Sequence, residues 1–575
     1  MRRTSGPCGE NSQISSVSWP GADTVIGRIG ITVTRDRPGR VVRLLSTEFQ
    51  GVYDFTLRRS REGEKTLAWD ADGLVHPGSD SAILPNETDP HSLASVDHRT
   101  FPTHRPRLNF AQLEFLIFFS VVLVAAWTVG AGDRRRRNLV LLAASYYFYA
   151  YWDYRFCGLL LISTFVDFFV ARRMLASTSP VLRRCWLIVS LAVNLGMLGF
   201  FKYCNFFLDS ARPLVESLGF HPGSLDVILP VGISFFTFQT LSYTIDVYRG
   251  KLEPTRSLLD FALYVAFFPQ LVAGPIVRAA NLLPQLGRVP RLSRRRMYGG
   301  FQQLLRGAVK KVLIADRLAE TVDVVFAAPE LYSGVTVWIA VIAYAGQIYY
   351  DFSGYSDMAI GIAKMLGYRF PVNFRHPYLA TSMADFWHRW HITLSTWLRD
   401  YLYIPLGGSR GSEGATYRNL MLTMTLGGLW HGAAVTFVMW GVWHGAALCL
   451  ERADRAGKTL PTAIRWIGVM MVVLMGWVLF RSPDGATAVQ VYERLWIPPS
   501  WSRSSEAPRI LWLPPLTLLM IAVMVIEHAA WTTRLRRAMR LPMRAWFSPI
   551  ATAILIWSLL LYAPRGFRPF VYFQF

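Results

Sequence analysis

Residues 113–152 read LEFLIFFSVVLVAAWTVGAGDRRRRNLVLLAASYYFYAYW, two apolar runs separated by a block of four arginines. A hydrocarbon core about 30 Å thick is crossed by a helix of roughly 20 apolar residues, and each run approaches that length. Basic loops are retained on the cytoplasmic side during insertion, so we expect Arg134 to Arg137 to face the cytoplasm. The stretch therefore predicts two consecutive transmembrane helices.

Apolar runs separated by basic loops continue to the end of the chain. The 575 residues are 52% hydrophobic and 17% charged with a mean hydropathy of +0.27, which is typical of a polytopic membrane protein. Segments 258–284, 300–327 and 353–406 are apolar but interrupted. With them, we expect an all-α membrane protein of about 11–13 membrane-embedded helices, some of them re-entrant. The uninterrupted candidates are 111–131, 138–152, 156–176, 185–207, 226–248, 333–350, 418–450 as one helix or two, 462–480, 509–531 and 546–563.

The charge and the cysteines exclude several classes of function. The chain carries 60 Lys and Arg against 38 Asp and Glu, a formal net charge of +22. In a soluble protein this surplus would suggest a nucleic-acid partner, but here the basic residues lie between apolar runs and indicate membrane topology.

The five cysteines form no C-x-x-C pair and have no metal-ligand spacing, so we expect neither a disulfide framework nor a metal site. The sequence contains neither a P-loop nor an H-E-x-x-H motif, which disfavours nucleotide hydrolysis and metal catalysis.

Residues 1–107 differ in composition from the rest of the chain. Their acidic and basic residues nearly balance, and they contain no apolar run long enough to cross a bilayer. Val25 to Leu45 has some strand-like alternation, but the apolar content is too thin for a good core, so we expect a poorly ordered extension. Since no methionine occurs between Met1 and Met174, an equal alternative is that the biological start lies near Leu108 and the extension is a mis-assigned start. Residues 108–575 are expected to form the membrane domain.

Polar and ionisable residues within the apolar segments concentrate between positions 351 and 444. Such groups are costly in a bilayer and are functional candidates by default. In the run DFWHRWHITLSTWLRDYLYIPLGG (385–408), His391 has Ser395 one turn on and no carboxylate three or four positions away, so no neighbouring charge explains it. An interfacial helix with solvated histidines is an equal alternative. Helical spacing predicts one aromatic stripe formed by Trp387, Trp390, Leu394 and Trp397.

A second histidine cluster lies in TLGGLWHGAAVTFVMWGVWHGAAL (425–448), where WHGAA occurs twice. On one continuous helix, His431 and His444 would be separated by roughly 20 Å and could not share a small site. The glycines around His431 allow a backbone or a thin substrate to approach it, which favours His431 as the functional residue. A desolvated imidazole stays neutral and can act as a general base, although a histidine that donates to a neighbouring backbone carbonyl explains the sequence as well.

Several long motifs together closely resemble the membrane-bound O-acyltransferases. The resemblance extends from about Leu108 to Phe575, and it is strongest to the branch that O-acetylates alginate. It implies a ring of helices around a central tunnel that is open to both faces of the membrane. The motifs are PVGISFFTFQTLSYTIDVYRGK (230–251), FFPQLVAGPIVR (267–278), DFSGYSDMAIGIAKMLGYRFPVNFRHPY (351–378), the 385–408 run, GGLWHG (427–432) and the terminal PFVYFQF.

The resemblance also implies roles for individual residues. The family's essential histidine corresponds to His431 and its second position corresponds to His391, whereas His444 is not the family's catalytic position. In the implied reaction, His431 accepts the proton of an acceptor hydroxyl as this hydroxyl attacks an acetyl thioester, and His391 orients the substrate or stabilises charge. The weaker candidates for the substrate tunnel are Trp390, Trp430, Asp351 and Ser395.

The resemblance further implies partners, with no bound cofactor. The expected donor substrate is acetyl-CoA or another acyl thioester from the cytoplasm. A periplasmic polysaccharide acetylation protein, a polysaccharide export or synthase assembly and membrane lipid are the expected partners, at a bacterial inner membrane. Two alternatives remain: transfer of D-alanyl or another acyl group to a cell-envelope polymer, and a transporter or flippase whose histidines relay protons. The sequence contains no detectable inverted repeats, which disfavours transport.

Overall fold

The chain divides into two units, residues 1–100 and 101–575, in a computed structural model. The structure describes residues 14–15, 31–32, 41–45, 52–56, 110, 112–219, 225, 227–454, 459–496, 510–532, 548–562 and 569–571. In the first unit, four short antiparallel strands pair in chain order: β1 (Ile14–Ser15), β2 (Ile31–Thr32), β3 (Val41–Leu45) and β4 (Val52–Thr56). Most residues predicted to be a poorly ordered extension lie outside the described ranges, so that interpretation and the mis-assigned start stay predictions.

The second unit is helical, which confirms the all-helical prediction for this part of the chain. Its first half contains α1 (Leu113–Trp127), α2 (Arg134–Asp153), α3 (Cys157–Ala176), α4 (Pro180–Leu198), α5 (Cys204–Ser217), α6 (Ile233–Tyr248), α7 (Leu258–Ala266), α8 (Phe268–Leu271), α9 (Ala279–Leu286) and α10 (Arg294–Ala308). Its second half contains α11 (Asp316–Ala327), α12 (Gly334–Met365), α13 (Met383–Arg389), α14 (Ile392–Leu398), α15 (Glu413–His431), α16 (Val435–Ala453), α17 (Thr462–Arg481), α18 (Gly485–Trp496), α19 (Pro515–Thr532) and α20 (Ser548–Tyr562). Three π-helical turns, Gly199–Tyr203, Val309–Ala315 and Arg399–Tyr403, continue α4, α10 and α14 respectively.

Three helical segments among the described residues are long and apolar enough to cross a membrane: 134–176, 180–217 and 462–481. Three shorter apolar helices, 113–127, 515–530 and 549–562, add to them. The predicted total of about 11–13 embedded helices, the re-entrant segments and the central tunnel stay predictions. The predicted basic loop is in fact helical, because Arg134 to Arg137 form the first turn of α2 after the N-cap residue Asp133.

The longest helix is α12, with 32 residues, most of which are buried. The sequence predicted that its apolar run would end near residue 350, but the helix continues through the polar DFSGYSD segment to Met365. Glycines explain the continuation, since a Cβ atom at Gly307 would collide with the backbone of Gly354, and one at Gly361 with the backbone of Gly300. Small residues let helix backbones approach closely, so α10 packs directly along α12.

A buried ion triad joins the π-helical turn after α10 to the middle of α12. The Lys311 ammonium lies 2.5 Å from Asp351 and 2.9 Å from Asp316, and all three side chains are less than 10% exposed. The other carboxylate oxygen of Asp351 accepts a hydrogen bond of 2.9 Å from the backbone N–H of Val571. The ring of Phe570 lies 4.7 Å from the Lys311 ammonium. The triad therefore also holds residues 569–571, the described part of the C-terminal segment, against α12.

We expect Lys311→Met to lower the free energy of unfolding by about 3–5 kcal/mol, because two carboxylates would stay buried without their cation. The measurement is denaturant unfolding of the purified protein in detergent, followed by near-ultraviolet circular dichroism. Lys310→Met is the matched control, since Lys310 pairs with Asp357 at 2.8 Å but both side chains are more exposed, 15% and 20%. Equal losses in the two variants would contradict the assigned importance of the triad.

Candidate active site

The chain breaks its helix at His391. The sequence predicted one continuous aromatic stripe here, and that prediction is wrong, because α13 ends at Arg389 and α14 begins at Ile392. His391 lies between the two helices in the left-handed region, at a φ of 40°. A neighbouring strand-like segment supports the break: Arg375 N–H donates to the carbonyl of Arg389 at 3.0 Å, and Ile392 N–H donates to the carbonyl of Asn373 at 2.9 Å.

The side chain of Asn373 fixes the start of α14 beside His391. Its amide oxygen accepts hydrogen bonds from the backbone N–H of Thr393 at 3.2 Å and from the Thr393 hydroxyl at 2.9 Å. The same hydroxyl accepts a hydrogen bond from the backbone N–H of Ile276 at 3.0 Å. Left-handed backbone at a non-glycine residue costs roughly 1–3 kcal/mol and persists only where its surroundings enforce it. The Asn373 network provides this enforcement and determines where the His391 ring lies.

His431 is the last residue of α15, and the next helix folds back directly against it. A Cβ atom at Gly428 would collide with the backbone of Phe437 and Gly441 on α16, so the two helices cross in contact. Gly432 follows His431 and lies against the ring of Phe437, where a larger side chain would not fit. The glycines that favoured His431 in the sequence therefore serve the tight turn between α15 and α16.

The end of α15 lies inside the protein, where its last carbonyls need donors. The Lys202 ammonium donates to the carbonyls of Trp430 at 2.6 Å and His431 at 3.0 Å, and the Tyr203 hydroxyl donates to the carbonyl of Leu429 at 2.9 Å. Lys202 and Tyr203 belong to the π-helical turn after α4, and such turns are frequent at functional sites. A cation at a helix C-terminus is also stabilised by the helix dipole. The turn therefore caps α15 and fixes the position of His431.

These two local structures bring His391 and His431 together. Their ring centroids are 6.3 Å apart, and the residues are 0% and 5% exposed. Apolar and aromatic groups wall the pair: the ring of Phe352 lies 4.6 Å from His391, and the rings of Trp440 and Phe480 each lie 5.2 Å from His431. Burial disfavours a charged imidazole, so this environment suits a neutral ring that accepts a proton during a reaction.

His444 occupies a different position from the one that the sequence suggested. The prediction assumed one helix through both WHGAA repeats, but α15 and α16 form a hairpin. The indole of Trp440 lies between the two histidines, 5.2 Å from His431 and 4.7 Å from His444. His444 packs on Trp387 of α13, and a Cβ atom at Gly476 of α17 would lie 2.7 Å from its Nε2. That the two histidines differ in role stays a prediction. In the structure they are separated by the indole of Trp440, and not by distance along one continuous helix.

The weaker predicted site residues divide into two groups. Trp430 lies beside both histidines, 5.0 Å from His431 and 6.0 Å from His391, and Trp390 contacts Phe374 behind them. Ser395 donates its hydroxyl to the carbonyl of Trp390 at 3.0 Å. Asp351 belongs to the ion triad described above rather than to the histidine pair. Their roles in substrate binding stay predictions.

Lys202 and Asn373 position the histidines, but neither was predicted from the sequence as a site residue. Lys202 had a usable signal, because it is an ionisable residue inside the apolar run 185–207. Asn373 had none, since an asparagine in an irregular segment is common. Within the described ranges, no group of three or more His, Cys, Asp or Glu side chains lies close enough to hold a metal ion.

Comparison with known proteins identifies the family of the chain. The model of the membrane-bound O-acyltransferase family matches residues 254–480, which include both histidines. A probable alginate O-acetylase of Azotobacter vinelandii is 42% identical over 385 residues, which cover 66% of this chain and 76% of the relative. The chain belongs to the membrane-bound O-acyltransferase family. As a member of this family it is a membrane protein and an O-acyltransferase, so the transporter alternative loses its support.

Further O-acyltransferase relatives act on different polymers according to their names. A probable alginate O-acetylase of Pseudomonas aeruginosa is 44% identical, with coverage of 66% of this chain and 73% of the relative. A peptidoglycan O-acetyltransferase of Helicobacter pylori is 39% identical, with coverage of 60% and 71%. Both names state O-acetyl transfer, one to alginate and the other to peptidoglycan. The relatives' names therefore agree on acetyl as the transferred group, but they do not agree on the acceptor polymer.

We expect Lys202→Met to reduce acyl transfer roughly 10²-fold, since a misplacement of about 1 Å at a catalytic group costs this much. Lys202→Arg should retain more activity, because the guanidinium can still donate to the α15 carbonyls. The measurement is the initial rate of acyl transfer at equal amounts of folded protein. The control is Lys364→Met, which removes a lysine from the last turn of α12, away from the pair. An unchanged rate in Lys202→Met would show that the cap does not position His431.

Proposed function

We propose that this O-acyltransferase moves an acetyl group from a cytoplasmic thioester across the inner membrane for O-acetylation of an exported, alginate-like polysaccharide. The observation that carries the proposal is the pair of buried imidazoles, His391 and His431, with ring centroids 6.3 Å apart. Two such groups can hold an acceptor hydroxyl and a thioester carbonyl at the same time. The acetyl group is supported by the acetylase names of the relatives.

In the proposed reaction, the neutral His431 ring accepts the proton of the acceptor hydroxyl while the hydroxyl oxygen attacks the thioester carbonyl carbon. The resulting tetrahedral intermediate collapses, the C–S bond breaks, and the proton on His431 passes to the leaving sulfur. His391 donates to the carbonyl oxygen or orients the acceptor. The aromatic walls exclude water, which would otherwise compete with the acceptor as a nucleophile.

The donor and the partners are part of the same proposal. Acetyl-CoA or another acyl thioester supplies the acetyl group as a substrate, and Trp390 and Trp430 line the path to the histidines. A periplasmic polysaccharide acetylation protein receives the acetyl group and completes the transfer beside an export or synthase assembly. Transfer of D-alanyl or another acyl group to a cell-envelope polymer is the alternative, and the mass added to the acceptor distinguishes the two.

We expect His431→Ala to lose transfer by about 10²–10⁴-fold, because general-base assistance contributes a factor of this size. The measurement is the release of free thiol from an acetyl thioester in the presence of acceptor, with membrane insertion and folded amount verified. His391→Ala should also be strongly impaired.

His444→Ala is the matched control, because it truncates a buried histidine on the adjacent helix α16. At equal folded amounts, it should retain most of the transfer activity. A variant His431→Ala that transfers at a near-normal rate would end the assignment, and so would equal losses in His431→Ala and His444→Ala.

A further inference from the structure

A second candidate site lies apart from the histidines. It is a cavity of about 310 Å³ among α11, α12, α17 and the C-terminal segment, a volume at the lower end of roughly 300–1,000 Å³ for ligand pockets. Its described lining residues do not include His391 or His431. They are Lys311, Asp316, Ala319, Asp323, Tyr344, Gln347, Asp351, Arg481, Pro569 and Val571.

Two polar groups in this lining are buried without a hydrogen-bond partner in the described part of the chain. They are the hydroxyl of Tyr344 and the side-chain oxygen of Gln347, on residues that are 0% and 7% exposed. Buried polar groups almost always have partners, so such groups on a cavity wall indicate a polar occupant. Tyr344 lies about two helical turns before Asp351 on the same helix, α12, and Gln347 lies about one turn before it. One face of α12 therefore presents a phenol, an amide and a carboxylate to the cavity.

The lining restricts the chemistry of the occupant. Three acidic side chains, Asp316, Asp323 and Asp351, outnumber the two cations, Lys311 and Arg481, which disfavours a divalent anion such as free phosphate or sulfate more than a sugar residue that carries at most one carboxylate. The ionised lining also disfavours an acyl chain, which would desolvate these groups without hydrogen bonds. A ligand with several hydroxyls satisfies donors and acceptors together, since each hydroxyl both donates and accepts. A sugar residue has these properties.

The topology predicted from the basic segments places the cavity toward the end of the fold opposite the cytoplasm. Helix α10 begins at Arg294, within residues 288–296, a basic stretch between apolar runs of the kind that is retained on the cytoplasmic side. From there the chain continues through the π-helical turn into α11, which ends at Ala327. Asp316 and Asp323 belong to α11, so the cavity lies on the outward half of this path. An exported polymer would meet the protein on this side.

The same two helices separate the cavity from the histidine pair. On α12, Asp351 lines the cavity while the next residue, Phe352, packs on His391. On α17, Arg481 lines the cavity while the preceding residue, Phe480, packs on His431. The cavity and the reacting centre are therefore distinct sites that share walls.

We propose that this cavity binds one sugar residue of the acceptor polysaccharide through its hydroxyls, with Tyr344, Gln347 and Asp351 as the recognising groups. The inference rests on the proposed function, which supplies the polysaccharide. A chain bound here would be held at the outward side while another of its residues, or the partner that receives the acetyl group, reaches the histidines.

The test is isothermal titration of the purified full chain in a detergent without a sugar headgroup. The probes are methyl glucoside and methyl glucuronide, which distinguish a neutral from an acidic polymer, and cyclohexanol serves as a ring of similar size with one hydroxyl. We expect saturable binding of at least one glycoside and none of cyclohexanol. Tyr344→Phe should weaken the glycoside Kd about tenfold, the value of one hydrogen bond.

Tyr146→Phe is the matched control, because it removes a buried phenol hydroxyl from α2, outside the cavity lining. It should leave the glycoside Kd unchanged. The inference is overturned if neither glycoside binds, so that the cavity holds water only, or if Tyr344→Phe binds as tightly as the unmodified chain.

The background variant His431→Ala separates this inference from the proposed function. Glycoside binding should persist in it at full affinity, since His431 does not line the cavity. If the unmodified chain transfers acetyl but binds neither glycoside, the sugar site alone is refuted. Glycoside binding by the unmodified chain, together with no acetyl transfer by that same unmodified chain, refutes the acyltransferase proposal alone.

Discussion

A helix that ends in the interior of a membrane protein must find donors for its last carbonyls, and this requirement determines the site. Helix α15 meets it with one lysine and one tyrosine from a π-helical turn, which donate to the carbonyls of its three last residues, Leu429 to His431. Because the cap is placed by α4, the position of His431 depends on contacts far away in sequence. The catalytic candidate is thus a helix end held by another helix.

The second histidine obeys a related constraint. His391 interrupts a helix in left-handed backbone, and the interruption is held by hydrogen bonds from the backbone N–H of Arg375 and to the backbone and side-chain oxygens of Asn373. Helix α12 connects these elements, since Phe352 packs on His391 while the adjacent Asp351 closes the ion triad with Lys311. The site and the buried charges of the fold therefore share one long helix, whose close approach to α10 depends on glycines.

The helical class of the second unit could be predicted from the sequence, whereas the choice of His431 as the functional histidine stays a prediction. Apolar runs predict helices directly, but the glycines that favoured His431 in the sequence serve the tight turn between α15 and α16 in the structure. The break at His391 could not be predicted, because the spacing of Trp387, Trp390, Leu394 and Trp397 fits an unbroken helix and the opposing hydrogen bonds come from residues 373–375. The length of α12 was underestimated for a similar reason, since its polar DFSGYSD segment is buried by packing that only the tertiary structure shows.

The most direct measurement is a cryo-electron microscopy structure of the full chain with a non-hydrolysable acetyl thioester analogue, in which a methylene group replaces the sulfur. We expect the analogue's carbonyl to lie between the imidazoles of His391 and His431, with its carbon about 3–3.5 Å from the position of an acceptor oxygen bonded to His431. An analogue bound with its carbonyl elsewhere, and with both rings walled off from it, would contradict the account.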